Sequence, residues 1–514
     1  MSWSRRLFAA LAALAVVPSA GATVHRASGT VSVGYTSSAA LTSALRAHPA
    51  RVVRRIGALR VAEVRPAGDT AAFVRVLRAA PGIRFAQPSA PRRSTAEPAL
   101  AGATPAGAYE WQFAATRSNT VPTWVLRAAS SVTIAVIDTG ADLTAPDLAA
   151  KAPSSYSVVT GRPDVRDLAG HGTFVASLAA GSITNNDGIA GFGGDATLLV
   201  VQANRGDRTF TDVDEASAIV YAVSHGAQVI NLSFGGPSTS TVERNAIDFA
   251  ASHGALLVAA AGNEGQRGNP VEYPAALLQP VGSNGAGGTG LAVGASTAEG
   301  VAAAFSNAGS YLSLAAPGVN VLGALSSTAP ATAFSPFALP GSTAGLYGYG
   351  SGTSYAAPQV AGAAALVWAA NPTLTAQGVA DALKQSATGA GTWSPQLGYG
   401  VIDVAAAVAR AAGSPRAATT VELDGSRSGR LVRLSWRGEG AAAYRLSVRK
   451  DNAAPRVILS GSSTTASYAL KPGHRYSFFV EAINEAGTAV ATSERYVASV
   501  ANTVATVKKT TKRG

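Results

Sequence analysis

VTIAVIDTG, residues 132–140, is a nearly unbroken apolar run that ends in a carboxylate, a hydroxyl and a glycine. A strand with one face in water alternates apolar and polar residues; this run does not, so it predicts a strand covered on both faces, as in a parallel sheet. Three further runs share the form: TLLVVQA (197–203), AQVINLSF (227–234) and ALLVAAAGN (255–263). Helix-like stretches alternate with them, at Asp212–Ser224, Val242–Ser252, Ser354–Ala370 and Ala376–Gln385. The alternation gives residues 109–412 an α/β fold, a mostly parallel sheet with helices on both faces. In such sheets chemistry collects beyond the carboxyl ends of the strands. Here those ends carry Asp138, Ser233 and Asn263.

Outward from this core the composition changes. Residues 1–22 pair a basic start (Arg5, Arg6) with a short apolar stretch and a small-residue A-x-A ending at Ala22, the pattern of a secretory signal peptide. SRRLF also resembles a twin-arginine export signal. No later segment is apolar enough to span a bilayer, so the protein is expected to be secreted. Residues 23–93 mix short β-like runs with Ala- and Arg-rich helical stretches, an α+β pattern, and lead into a Pro/Ala/Ser linker over 94–108. Residues 417–500 hold short strands with period-two alternation (LVRLSW, YRLSVR, YSFFVEAIN), a small all-β sandwich, and 501–514 form a basic tail.

The bulk numbers exclude several classes. With 514 residues, 47% of them apolar, the chain can build a large core. The net charge of +12 is spread out, with no basic helices interleaved with aromatics, which argues against nucleic acid as a partner. There is no cysteine, so neither a thiol nucleophile nor a thiolate metal site is possible. The chain is read as a monomer.

A serine alcohol needs a base, and the base needs a carboxylate to orient it. There are only six histidines. His25 and His48 lie in the N-terminal segment and His474 in the sandwich, while His225 and His253 precede small-residue breaks, as helix C-terminal residues do. His171 remains, in AGHGTFVASLAAG (169–181), at a glycine-flanked helix start. Asp138 is the carboxylate candidate. In YGSGTSYAAPQVAG (349–362), Ser354 stands where a small-residue run enters an apolar helix. Asn263 can donate to an oxyanion beside the backbone N–H of Ser354.

The blocks VIDTG, GHGT, AAAGNEG and GTSYAAP, in the chain order Asp, His, Asn, Ser, resemble those of the subtilisin-like serine proteases over about 300 residues. The resemblance implies a subtilisin-like fold, with Ser354 as nucleophile, His171 as general base and then acid, Asp138 as its orienting carboxylate and Asn263 as oxyanion donor. Tyr355, Gln359 and Phe174 depart from the residues common at their positions in the family. An α/β-hydrolase is disfavoured, since Ser354 has no G-x-S-x-G elbow and follows both Asp and His.

By the same resemblance, NLSFGG (231–236) is the strand that pairs with extended substrate, through Ser233, Phe234 and Gly235. VEYPA (271–275) is the block closing the primary specificity pocket. Glu272 there, with Glu264 near the mouth, leads to a preference for Arg or Lys before the cut if it faces inward, and to none if it faces solvent. Calcium is implied by Asp147 in APDL, after Ala145 instead of the usual His, and by Ile183, Asn185, Asp187 and Ile189 in ITNNDGI. Residues 23–93 take the place of a propeptide that assists folding and inhibits; FAQPSAPRR (85–93) is its active-site end, with a cut near Arg93. LSW, with Trp436, and the spacing L-x-P-G-x-x-Y ending at Tyr476 resemble a fibronectin type III domain. This domain is a candidate to bind a cell-wall or matrix polymer, or to act as a spacer. The expected protein is a secreted serine endopeptidase acting on polypeptides, made as a self-processed preproenzyme; the alternative is a catalytically inactive adhesion protein on the same fold.

Overall fold

In the computed structural model, the residues described are 29–94, 109–204, 209–328, 334–337, 339, 342, 346–413, 421–437, 443–483 and 489–500. The leader (1–22), all of the linker beyond residue 94 up to 108, and the basic tail (501–514) therefore lie outside them.

Seven strands build the central sheet in the spatial order Leu314–Pro317, Gly290–Ser296, Leu256–Ala260, Val229–Leu232, Thr133–Asp138, Thr197–Gln202 and Ser154–Ser157. Every neighbouring pair is parallel. The strand Thr133–Asp138 is buried at every position but its first, because layers cover both faces. On one face lie helices His171–Ala180 and Thr353–Ala370, in one apolar cluster with Ile134, Val136 and Val258. On the other lie Asp212–Ser224 and Thr241–Ser252, clustered with Ala135, Ile137 and Leu257. Residues alternating along Thr133–Asp138 thus feed two different cores. His225 and His253 do follow helices directly, each ring Nδ1 near the carbonyl four residues back, at 2.8 and 2.7 Å.

The N-terminal region is a four-stranded antiparallel sheet, ordered Ala50–Ile56, Val61–Pro66, Val31–Tyr35 and Ile83–Pro88, with helices Ser38–Ala47 and Thr70–Arg78. Ser37 and Asp69 cap these helices through their side chains. Ile56, Leu59 and Val61 join the cluster of Ala216, Ile219, Val242 and Ala246, so the sheet rests on the two helices of that face. Arg54 Nη2 adds an ion pair to Asp214 Oδ1 at 2.6 Å.

The C-terminal region is two antiparallel sheets. One holds Glu422–Ser428, Leu431–Arg437 and Thr465–Ala469; the other holds Arg456–Gly461, Ala443–Lys450, Arg475–Ile483, Ala489–Thr492 and Tyr496–Ser499. Trp436, Leu446, Tyr476 and Phe478 fill the space between them. The Tyr476 hydroxyl accepts from Lys471 N–H at 3.3 Å, a link back to the chain expected at a tyrosine corner. The arrangement is fibronectin-like. Trp124 Nε1 of the α/β region donates to Ala489 O at 3.0 Å, tying the two together.

Candidate active site

Asp138 is the last residue of its strand, and His171 is the first of its helix. Gly170, at φ 80, makes the left-handed turn that admits the helix, a conformation with little cost for glycine alone. At Gly172 any Cβ would come within 2.1 Å of Gly140 O, so the helix start is pressed against the loop after Asp138. That approach brings His171 Nδ1 to 2.7 Å from Asp138 Oδ1, with both residues buried. Asp138 Oδ1 also accepts from Thr139 N–H at 2.7 Å, which fixes the carboxylate.

Asp167 holds this pair in place and was not found from sequence. Fully buried, it accepts at Oδ1 from Thr139 Oγ1 (2.7 Å) and Gly170 N–H (2.8 Å), and at Oδ2 from Thr173 N–H (2.8 Å) and Thr173 Oγ1 (2.7 Å). A carboxylate at a helix N-terminus satisfies otherwise orphaned N–H groups and faces the positive end of the dipole. The signal available was an Asp four residues before a helix-starting His, a spacing too ordinary to single out.

Ser354 is the second residue of helix Thr353–Ala370. Four residues on, Pro358 lacks the N–H that would bond the Ser354 carbonyl. Ser233 Oγ supplies the missing donor at 2.8 Å, and Ser354 Oγ donates in turn to Ser233 O at 3.3 Å. The His171 ring lies 5.8 Å, centroid to centroid, from that of Tyr355, the next residue along. Tyr355 also packs on Phe174 at 4.2 Å, and Gln359 Nε2 donates to Pro317 O at 2.6 Å, so all three departures from the common residues are absorbed in packing beneath the site.

Asn263 sits just past strand Leu256–Ala260. Its Oδ1 accepts from Thr353 N–H at 2.8 Å and Thr353 Oγ1 at 2.9 Å. The two bonds fix the plane of the amide and mark Nδ2 as its donor side.

The cleft holds a strand of the protein itself. Pro91–Ser94 runs antiparallel between Phe234–Gly235 and Thr209–Thr211, pairing Ser94 with Phe234 and Arg93 with Gly235. Phe234 and Gly235 thus pair with an extended segment of the chain, and Ser233 directly precedes them. Glu272 is buried, its Oε2 2.8 Å from where a Gly235 Cβ would stand, so it faces inward under that strand. Burial, reinforced by Glu264 and opposed by Arg92, raises its carboxyl to about 7.

Asp147, Asn185, Asp187 and Ile189 also come together. Asp147 Oδ1 accepts from Asn185 Nδ2 and from Ile189 N–H, both at 3.1 Å, and Oδ2 accepts from the Tyr347 hydroxyl at 3.0 Å. Burial, with Asp187 nearby, raises Asp147 to about 6. Asp187 Oδ1 is buried with no hydrogen-bond partner among the described residues. Ile183 lies in the same loop. Glu110, missed from sequence, borders the group; burial foremost, with Asp147 adding, raises it to about 7. Among the described residues no three His, Cys, Asp or Glu side chains form a metal cluster by themselves. Amide and main-chain oxygens beside two carboxylates, one with an orphaned oxygen, are nevertheless the donor chemistry that suits a hard cation such as calcium.

Comparison with known proteins is specific for two regions. A profile of the subtilase family matches residues 129–400, and one of the fervidolysin N-terminal prodomain matches 17–89. The chain is 34% identical over 305 residues to a thermophilic serine proteinase of Bacillus sp. (strain AK1), covering 58% of this chain and 67% of the other. It is 36% identical over 282 residues to subtilisin E of Bacillus subtilis (strain 168), covering 54% and 66% respectively. The crystal structure of fervidolysin from Fervidobacterium pennivorans, a keratinolytic enzyme related to subtilisin, superposes with a TM-score of 0.62 at 22% identity, covering 90% of this chain and 73% of that one.

Proposed function

Because the chain belongs to the subtilase family and is a subtilisin-like serine endopeptidase with an N-terminal prodomain, we propose that it is secreted, cleaves extended polypeptides through Asp138, His171 and Ser354, and releases its own prodomain. The observation that carries this reading is the 2.7 Å contact of His171 Nδ1 with Asp138 Oδ1 beside a helix that starts at Thr353 and Ser354.

Asp138 keeps the proton of His171 on Nδ1 and stabilises the imidazolium that forms. Nε2 then takes the Ser354 proton as Oγ attacks the scissile carbonyl, and returns it to the leaving amine. Asn263 Nδ2 and the Ser354 N–H donate to the oxyanion. Water repeats the sequence to release the acyl group. Substrate backbone takes the track now held by Pro91–Ser94, which makes the prodomain an intramolecular inhibitor until it is cut and dissociates. Glu272 is proposed to line the primary pocket and to favour Arg or Lys immediately before the cut. A calcium ion held by Asp147, Asn185, Asp187 and the carbonyls of Ile183 and Ile189 would cross-link the loop 182–189 to the core.

The C-terminal sandwich is proposed to be a fibronectin type III domain that binds a cell-wall or matrix polymer; retention of the isolated domain on such material tests it. The adhesion-protein alternative is not favoured, since the catalytic groups and Asn263 are all present. The decisive experiment is hydrolysis of casein and a peptide panel by the wild type and Ser354→Ala, with covalent organophosphate labelling of Ser354. Cleavage and labelling by the wild type alone are expected; equal behaviour of the two proteins would end the proposal.

A further inference from the structure

Arg92 is the most conspicuous charge in the cleft. Exposure alternates along Pro91–Ser94, outward for Pro91 and Arg93 and buried for Arg92 and Ser94, as a strand lying on a surface requires. The Arg92 side chain is fully enclosed. Its Nε lies 3.0 Å from Glu215 Oε2 and its Nη2 2.8 Å from Glu243 Oε1, while Nη1 donates to Pro91 O at 3.0 Å. A third carboxylate, Asp212, adds to the field and accepts from Ala90 N–H at 3.0 Å. Gly236 lies over the guanidinium: a Cβ there would stand 3.3 Å from Nη1.

The acids belong to the catalytic region. Asp212 and Glu215 sit in the first turns of helix Asp212–Ser224, and Glu243 in the first turn of Thr241–Ser252. Two helix N-termini therefore aim their positive ends at the pocket and temper the cost of gathering carboxylates there. Glu243 divides its work, because its Oε2 closes a capping box with Ser240 N–H while Oε1 faces Arg92. Burial, with Glu243 next to it, still raises Glu215 well above the ordinary range, and Arg92 opposes that rise. A buried acidic pair of this kind is costly without a cation.

The pairing of Ser94 with Phe234 fixes the register. A substrate in this track sets one residue opposite Ser233, whose carbonyl accepts from Ser354 Oγ; that residue carries the scissile carbonyl. The Arg92 position is three residues before it. We propose that the pocket between Glu215 and Glu243 is an arginine-selective subsite of the mature protease, reading the substrate side chain three residues N-terminal to the one at which the chain is cut. The inference rests on the protease reading and moves the main basic recognition from the residue beside the cut to this deeper pocket. Arginine is favoured over lysine, because a planar fork reaches two carboxylates at once and an ammonium cannot.

The test uses self-processed enzyme and internally quenched peptides differing only at that position, with Arg, Lys, Leu, Ala or Glu, alongside casein with product ends mapped by mass spectrometry. Arg is expected to exceed Leu and Ala by about tenfold or more in kcat/KM, given the coupling measured for buried charge pairs. Glu215→Gln and Glu243→Gln, the latter able to keep its capping box, are expected to narrow that ratio to about twofold. Because a variant can fail to fold, the wild-type profile suffices alone. Casein cleaved without arginine enriched three residues before the residue at which the chain is cut, or enriched only at that residue, overturns the pocket and leaves the protease standing. Failure to cleave casein as well as every peptide overturns the protease reading itself.

Discussion

Ser233 and Ser354 hold each other in both directions: each hydroxyl donates to the other's main-chain oxygen, at 2.8 Å from Ser233 and 3.3 Å from Ser354. The strand proposed to bind substrate is thereby pinned to the proposed nucleophile. The bond from Ser233 also replaces the helix hydrogen bond that Pro358 removes. Ser233→Ala should therefore leave a buried carbonyl without a donor, costing about 1–3 kcal/mol, and should lower kcat more than it raises KM. Chemical denaturation together with steady-state kinetics checks both parts.

Ser354→Ala should abolish self-processing as well as hydrolysis of added substrate. Its secreted form should run at a mass that includes residues 29–94, whereas the wild type loses them. N-terminal sequencing of the mature wild type locates the cut. A start near Ser94 is expected, in line with a cut near Arg93, and a start far from Ser94 counts against self-processing at this strand.

Asn263→Ala removes the proposed oxyanion donor. A loss of about 10²–10³ in kcat is expected, the size known for the corresponding amide in subtilisin, with KM little changed. The side chain also anchors Thr353 through two bonds, so Asn263→Asp, which keeps the acceptor and discards the donor, should lose as much activity with less loss of stability.

Glu272 has its carboxyl raised to about 7, by burial first and then by Glu264. It is mostly protonated at pH 6 and mostly ionised at pH 8. The preference for Arg over Phe immediately before the cut should rise with pH across that interval and be flat in Glu272→Gln. The ratio of kcat/KM values for two matched peptides isolates this effect, because any pH effect common to both substrates cancels.

Removal of calcium by a chelator should speed thermal inactivation several-fold, and Asp147→Ala should abolish the difference between chelated and calcium-loaded enzyme. Inactivation half-lives at one temperature, with and without chelator, decide it. An unchanged half-life removes the ion from the account.

Much of the fold was legible because parallel strands buried on both faces leave a coarse trace. VTIAVIDTG and its three counterparts, and helices such as Asp212–Ser224, appear where periodicity and run length place them. Asp138, His171, Asn263 and Ser354 could be singled out as candidates for a related reason, since strand ends and helix starts are where an α/β sheet exposes chemistry, and histidine is scarce enough to search by elimination. Asp167, Glu110 and the Glu215–Glu243 pair left no such trace. Each draws its meaning from partners distant in sequence, and an acidic residue in a helix's first turn is an ordinary cap until something is seen in front of it.

The order of residues alone determined the layers, the candidate catalytic groups and the kinship, because local periodicity and short glycine-bounded blocks are written along the chain. Only the folded chain decided which carboxylates share a pocket, that Glu272 turns inward, and that Arg92 rather than Arg93 is the buried cation. Burial and charge pairing depend on which surfaces meet across more than a hundred residues, and no local pattern carries that information.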